Sequence, residues 1–203
     1  MSPEAPLYVN NGRFRADYFN PQRDRFESLA RDGQQPQLLC IACADSRVTP
    51  EYITSAAPGQ IFVARNIANL IPPPDSASAS VGAVVEFGVQ HLRIPHIAVC
   101  AHTDCTGVRT IAAGLTKLPA TSPLFTWLAR AGWAPDRPGD VAPDTLSLLV
   151  RRNVLRQIEH LKMYPFVREA VAAGRLRLHA WLYNLETGEL SEYSAAEGDF
   201  VPL

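Results

Sequence analysis

The sequence is short of several things that would place it outside the ordinary globular class. No run of about 18 apolar residues occurs, and no apolar leader segment follows Met1. We therefore expect neither a membrane span nor an exported product, and place the protein in the cytoplasm. Net charge is almost absent: 19 basic and 20 acidic residues leave −1. That balance gives no electrostatic footprint for nucleic acid or an anionic membrane, and small neutral or anionic partners fit better. Cysteine is sparse, with four in 203 residues. In a reducing compartment, grouped Cys and His argue for metal or catalysis rather than disulfides. Repeats, low-complexity tracts and linkers are lacking too, which removes solenoids and tethered modules.

What is present is concentrated in two places. The apolar run Leu38 to Ala42 delivers a thiol at Cys43 and then a carboxylate, a hydroxyl and a guanidinium at Asp45, Ser46 and Arg47. A second apolar run, Ile97 to Ala101, ends in His102 and Cys105. Alone, each cysteine is as readily a small buried hydrophobe as a ligand. The two-residue gap between His102 and Cys105 directly after a strand shifts the balance. Two thiolates and an imidazole suit zinc, and three protein ligands leave an open, catalytic fourth position.

The whole chain, 47% hydrophobic, reads as one domain over 1–203, with residues 1–34 forming an N-terminal helical arm. Residues 1 to 12 carry prolines and an Asn-Asn-Gly turn signal and are expected to be irregular. Phe14, Tyr18, Gln22, Phe26 and Leu29 are spaced helically, with an interruption at Asn20-Pro21. Strands are expected over 37–42, 60–64, 94–101, 176–186 and 190–193. Helices are expected from Thr49-Pro50, over 80–92, from Thr106-Gly107 to about Gly114, over 144–161 and over 166–173. Residues 117–143, rich in Pro, Gly and Ala, allow only short helical turns. The alternation predicts an α/β fold, a parallel-core sheet covered by helices on both faces, with sites at the carboxyl ends of its strands. Both clusters fall there. The helix start at Thr106-Gly107 offers free amides as an anion cradle, and 65–69 with three following prolines is either a loop near the site or a connector.

Three segments together resemble the β-class carbonic anhydrases: Cys43-Ala44-Asp45-Ser46-Arg47, Pro58-Gly59-Gln60-Ile61-Phe62-Val63-Ala64-Arg65-Asn66, and His102-Thr103-Asp104-Cys105. The resemblance implies one zinc per chain on Cys43, His102 and Cys105, and hydration of carbon dioxide to bicarbonate through a zinc-bound hydroxide. It implies that Asp45 receives a hydrogen bond from the zinc water or swings in as fourth ligand, while Arg47 holds that carboxylate off the metal. It implies a homodimer or higher homo-oligomer, with aromatic arm residues Phe14, Tyr18 and Phe26 embracing the partner. Two thiolates should depress the water's pKa less than three imidazoles would, so activity should favour higher pH. The chain departs from the family at the substrate pocket, assigned to Ala57, Phe87, Thr106 and Gly107. Ala57 and Phe87 stand where many members have glutamine and tyrosine, and Ala101 and Thr106 where glycines are usual. The altered, more apolar pocket keeps hydrolysis of carbonyl sulfide or carbon disulfide open as an alternative, beside an inactive zinc scaffold. Arg65 matches a regulatory bicarbonate ligand of one subgroup, but Cys40 replaces that subgroup's tryptophan, so this regulation is not expected.

Overall fold

An uninterrupted apolar hexapeptide, Leu38–Cys43 (β1), forms an interior strand of the sheet, because a strand flanked on both sides and buried on both faces needs no polar alternation. The structure is a computed structural model and describes residues 10–74 and 79–203. The chain divides into two units, Met1–Gln35 and Pro36–Leu203.

In the first unit, Asn11–Phe14 (α1) passes through a π-helical turn, Arg15–Phe19, and a 3-10 turn, Asn20–Gln22, into Arg23–Asp32 (α2). The interruption expected at Asn20-Pro21 is there: Pro21 has no N–H to donate, and Gln22 leaves helical angles at φ −115°. The irregular stretch expected through residue 12 is corrected, since the helix begins at Asn11; residues 1–9 lie outside the described residues. Here ring packing outweighs the turn signal. Phe14 lies 5.6 Å from Tyr18 and 6.4 Å from Phe26, and Phe19 lies 4.5 Å from Phe26.

The second unit is a six-stranded sheet ordered β2-β1-β3-β4-β5-β6. After β1 come Pro50–Ile53 (α3), Ile61–Asn66 (β2), Ala79–Glu86 (α4) with a π-helical turn Phe87–His91, and His96–His102 (β3). Then follow Thr106–Ala112 (α5), Pro123–Leu128 (α6), Pro143–Met163 (α7), Pro165–Ala172 (α8), Arg177–Tyr183 (β4), Leu190–Ser194 (β5) and Asp199–Pro202 (β6). β1 to β4 are parallel, and β5 and β6 are antiparallel additions at one edge. β6 was not expected, because its four residues carry too little pattern to be read as a strand. The expected starts of β1, β2, β3 and β4 move by one or two residues, as element boundaries commonly do.

Coverage of the sheet is lopsided rather than even. Leu39, Ile41, Ile97, Val99, Ala180 and Leu182 share the main core with Val150, Val154 and Leu161 of α7. The opposite face holds only a small cluster, Cys40, Ala42, Cys100 and Val48, with Ile53, Trp181 and Tyr183 against it. The register places Ala42 beside Cys100 and Cys43 beside Asn66. The carboxyl ends of β1, β2 and β3 therefore open at one place.

Candidate metal centre

Three buried donors meet where those strand ends open. The sulfurs of Cys43 and Cys105 and a ring nitrogen of His102 all lie within 4.8 Å of one another, and they form the one Cys/His/Asp/Glu group of this kind among the described residues. Cys43 ends β1 and His102 ends β3. Asp104 takes a left-handed backbone, φ 55°, which an aspartate tolerates better than most residues, and this reversal turns Cys105 back toward the strand ends. The Thr103 carbonyl accepts a hydrogen bond from Nδ1 of His102 at 2.8 Å. Nδ1 thus carries the proton, and the lone pair sits on Nε2. That Nε2 is buried and has no hydrogen-bond partner. A buried unpaired acceptor is costly, and a metal ion would relieve it.

The two thiols tell the same story. Their sulfurs are 4.0 Å apart. The Cys105 thiol, hydrogen-bonding to Cys43, brings Cys43 down to about 4, with further help from the amides of Asp45 and Ala68 against the opposing effect of burial. Cys105 is driven far up, first by Cys43 and then by burial, although amides of Gly107 and Val108 point at it. One thiolate forms readily beside one thiol; a second needs a cation between them. First-turn amides of α5 are thus directed at a ligand sulfur, on the metal side of the helix start.

Asp45 and Arg47 stand at the rim. The backbone N–H and Nε of Arg47 both donate to Oδ1 of Asp45, at 3.0 and 2.9 Å, and Nη2 donates to Oδ2 at 2.8 Å. This clamp holds the Asp45 carboxyl well below the usual carboxylate range. Oδ2 lies 3.8 Å from Nε2 of His102, so the carboxylate is poised next to the donor set without entering it. Arg65, which sequence reasoning linked only to a regulatory site, turns out to brace this turn. It donates through Nε to the Cys43 carbonyl at 3.1 Å and through Nη2 to the Asp45 carbonyl at 2.6 Å. The pairing of Ala42 with Arg65 across β1 and β2 could have signalled it.

A cleft of about 240 Å³ leads to Cys43 and Asp45, walled by Thr106, Gly107, Ile67, Leu124 and others. Leu124 and Leu128 come from α6, inside the stretch that offered no pattern beyond short turns. Ser122 caps α6 by accepting from the amides of Leu124 and Phe125, and Trp127 Nε1 donates to the Ile67 carbonyl at 2.9 Å. The loop 67–69 is therefore a wall of the site rather than a connector. Asn153 of α7 holds it from behind through Nδ2 to the Ala68 carbonyl at 3.0 Å. Gly107 makes the approach possible: a Cβ there would sit 2.9 Å from Cβ of Ala68.

Two expected pocket residues are not in this cleft. Ala57 precedes β2, and Phe87 follows α4 and packs on Phe62 and His91, with ring centroids 6.0 and 5.2 Å away. Both flank the beginning of β2, whereas the donors gather at its far end, roughly 15–20 Å along the strand.

With this geometry in view, the comparisons are decisive. A family model described as carbonic anhydrase matches residues 38–190. A carbonic anhydrase of Pseudomonas aeruginosa is 39% identical over 197 residues, covering 94% of this chain and 88% of that one. The chain belongs to the β-carbonic anhydrase family. A carbonic anhydrase of Synechococcus elongatus is 38% identical over 192 residues, covering 92% of this chain and 70% of that one. The solved structure of the β-carbonic anhydrase CcaA superposes with a TM-score of 0.88 at 33% identity, covering 97% and 98%. One of the tetrameric β-carbonic anhydrases from Sordaria macrospora gives 0.77 at 28% identity, covering 93% and 95%. Within this family the chain keeps a compact Cys-His-Cys group and an α/β fold with a mixed sheet and an N-terminal helical segment.

Proposed function

We propose that the protein is a zinc-dependent carbonic anhydrase. It combines carbon dioxide with one water to give bicarbonate and one proton, reversibly. Family membership makes it an enzyme of this class. The observation that carries the reaction to this chain is the meeting of Cys43, His102 and Cys105 beside an Asp45 that Arg47 holds at the rim. The residues fit zinc: two sulfurs and an imidazole nitrogen are buried together, and the nitrogen has no other partner. Zinc held by these three would supply a Lewis acid that makes water nucleophilic near neutral pH.

The rest of the work falls to side chains. Asp45 stays ionised and accepts hydrogen bonds only, so it can orient a water proton at the rim. Arg47 occupies both carboxylate oxygens and keeps them from joining the donor set. Ile67, Leu124 and Leu128 present apolar walls, which suit a small apolar gas and exclude bulk water. The alternatives of carbonyl sulfide or carbon disulfide hydrolysis and of an inactive scaffold are not favoured, since the relatives at this identity are carbonic anhydrases and the rim pair is intact.

We further propose a homodimer or larger assembly of one-domain chains, with the helical arm engaging the partner. Ala57 and Phe87 support this, because they can serve a substrate only across a subunit boundary. The four cysteines are free thiols, which is compatible with a reducing cytoplasm. No helix of the described residues is long and apolar enough to cross a membrane.

The deciding experiment is stopped-flow hydration of carbon dioxide on protein of measured zinc content, with carbonyl sulfide run in parallel. We expect about one zinc per chain and rapid hydration that increases toward alkaline pH. Zinc-replete protein that leaves carbon dioxide untouched, or prefers carbonyl sulfide in kcat/KM, would refute the assignment.

A further inference from the structure

The Arg47 guanidinium has three donor edges, and Asp45 accounts for only part of them. Nε and Nη2 face Asp45, which leaves Nη1 turned outward, 4.0 Å from Oδ2 of Asp104. The other oxygen of Asp104 accepts from Nη2 of Arg109 at 2.6 Å. Four alternating charges thus run from the rim outward: Asp45, Arg47, Asp104, Arg109. The left-handed backbone at Asp104 would suit asparagine or glycine as well, so local geometry does not explain a carboxylate there. Its charge does find a use, because it faces the one part of Arg47 that Asp45 cannot hold. Arg109 is well placed to keep that carboxylate outward. It stands on α5, whose first turn is packed tightly against Ala68, and it binds the Asp104 oxygen that does not face Arg47. Behind Arg47, these residues line a separate cleft of about 390 Å³ together with Thr103, Leu146 and Glu186.

We propose that Asp104, held by Arg109, is a positioning residue that keeps the Arg47 guanidinium seated on Asp45 and thereby keeps Asp45 away from the metal position. The proposal rests on the zinc-site reading above. Side chains of Arg47, Asp104 and Arg109 are 50%, 61% and 41% exposed, so the contribution is that of a surface pair, about a two- to fivefold change.

The test uses Asp104→Asn, which retains an αL-tolerant residue, and Arg109→Gln, which leaves the Asp104 backbone untouched. The first readout is solvent exchange of the Arg47 Nε–H in the ¹⁵N NMR spectrum of the full chain, before and after zinc loading. Exchange should quicken about two- to fivefold in Asp104→Asn and in the same direction in Arg109→Gln. The second is the Kd of azide for the zinc-loaded protein, since Asp45 and azide compete for one position. Azide should bind about two- to fivefold more weakly in both variants, and adding Asp104→Asn to Arg47→Ala should change nothing further. Unaltered Nε–H exchange in both variants overturns the proposal, as does an azide effect that persists undiminished without Arg47. Failure of the protein to take up zinc would instead refute the site reading, and the NMR measurement would still decide the role of Asp104.

Discussion

Cys43 and Cys40 are three positions apart, yet they face opposite sides of the sheet and meet different neighbours. Cys43 shares a buried site with His102 and Cys105, while Cys40 sits with Ala42, Val48 and Cys100 in the minor cluster. Replacing Cys43, His102 or Cys105 with alanine should abolish stoichiometric zinc, whereas Cys40→Ser and Cys100→Ser should retain it. Elemental analysis of purified variants decides, and full occupancy in Cys43→Ala would sink the ligand set. His160 allows a test of a different kind. Burial, the main cause, pulls its pKa below the usual histidine value, and nearby Arg156 adds to this. The unfolded chain, titrating near ~6.5, then binds more protons than the folded one as pH drops below that value. Stability from neutral His160 is accordingly complete above ~6.5 and is lost as pH falls through the lower folded value. The decline in Tm between pH 7 and 5 should be shallower in His160→Gln by calorimetry; an equally steep decline would show that His160 does not contribute to it.

At the scale of elements, α7 is more than a cover for the sheet. Its buried polar residues Asn153, Gln157 and His160 reach the loops that form the site. Asn153 holds the Ala68 carbonyl and accepts from Trp133 Nε1 at 3.0 Å, Gln157 binds the Ile71 amide at 2.8 Å and the Ala131 carbonyl at 3.1 Å, and His160 binds the Ile71 carbonyl at 2.7 Å. Removing one such partner strands buried groups, which costs roughly 1–3 kcal/mol each. Asn153→Ala should therefore lose on the order of 2–4 kcal/mol in urea unfolding and release metal more readily, because the Ala68 amide that supports Cys43 moves with its loop. Gly107→Ala tests the opposite wall of the same contact. Its new methyl would press on Ala68 and Ile67, at a cost of about 1–3 kcal/mol, and should weaken zinc binding without touching a ligand. Wild-type zinc affinity in both variants would separate the loop from the metal centre.

The whole molecule pairs a helical segment that has no buried residue in any of its turns with a sheet whose coverage is uneven. Exposed Phe14 and Tyr18 on that segment are what a partner would cover. Phe14→Asp combined with Tyr18→Asp should lower the mass measured by light scattering while leaving the far-ultraviolet dichroism of the α/β unit in place. An unchanged assembled mass would remove the arm from the proposed interface. Because Ala57 and Phe87 stand far from the donors of their own chain, the same variant should lose hydration activity beyond any loss of zinc.

What the residues alone make legible is local and chemical. The apolar runs before Cys43 and His102 declared buried strands, the order of thiol, carboxylate and guanidinium declared a site at a strand end, and the three segments together declared the family. The strands and the site could be read because each depends on residues close in the chain, and the family because its three segments resemble those of known members. Which distant residues serve that site is set by the packing of the folded chain. Arg65 and Ala68 reach it through parallel register, Leu124 through a helix anchored by Trp127, and Asn153 from a helix some 85 residues away from the loop it holds. The same register puts Ala57 and Phe87 at the beginning of β2, away from the donors of their own chain. Neither outcome has a local signature, because pairing across a sheet depends on which strands become neighbours and not on the composition of either one.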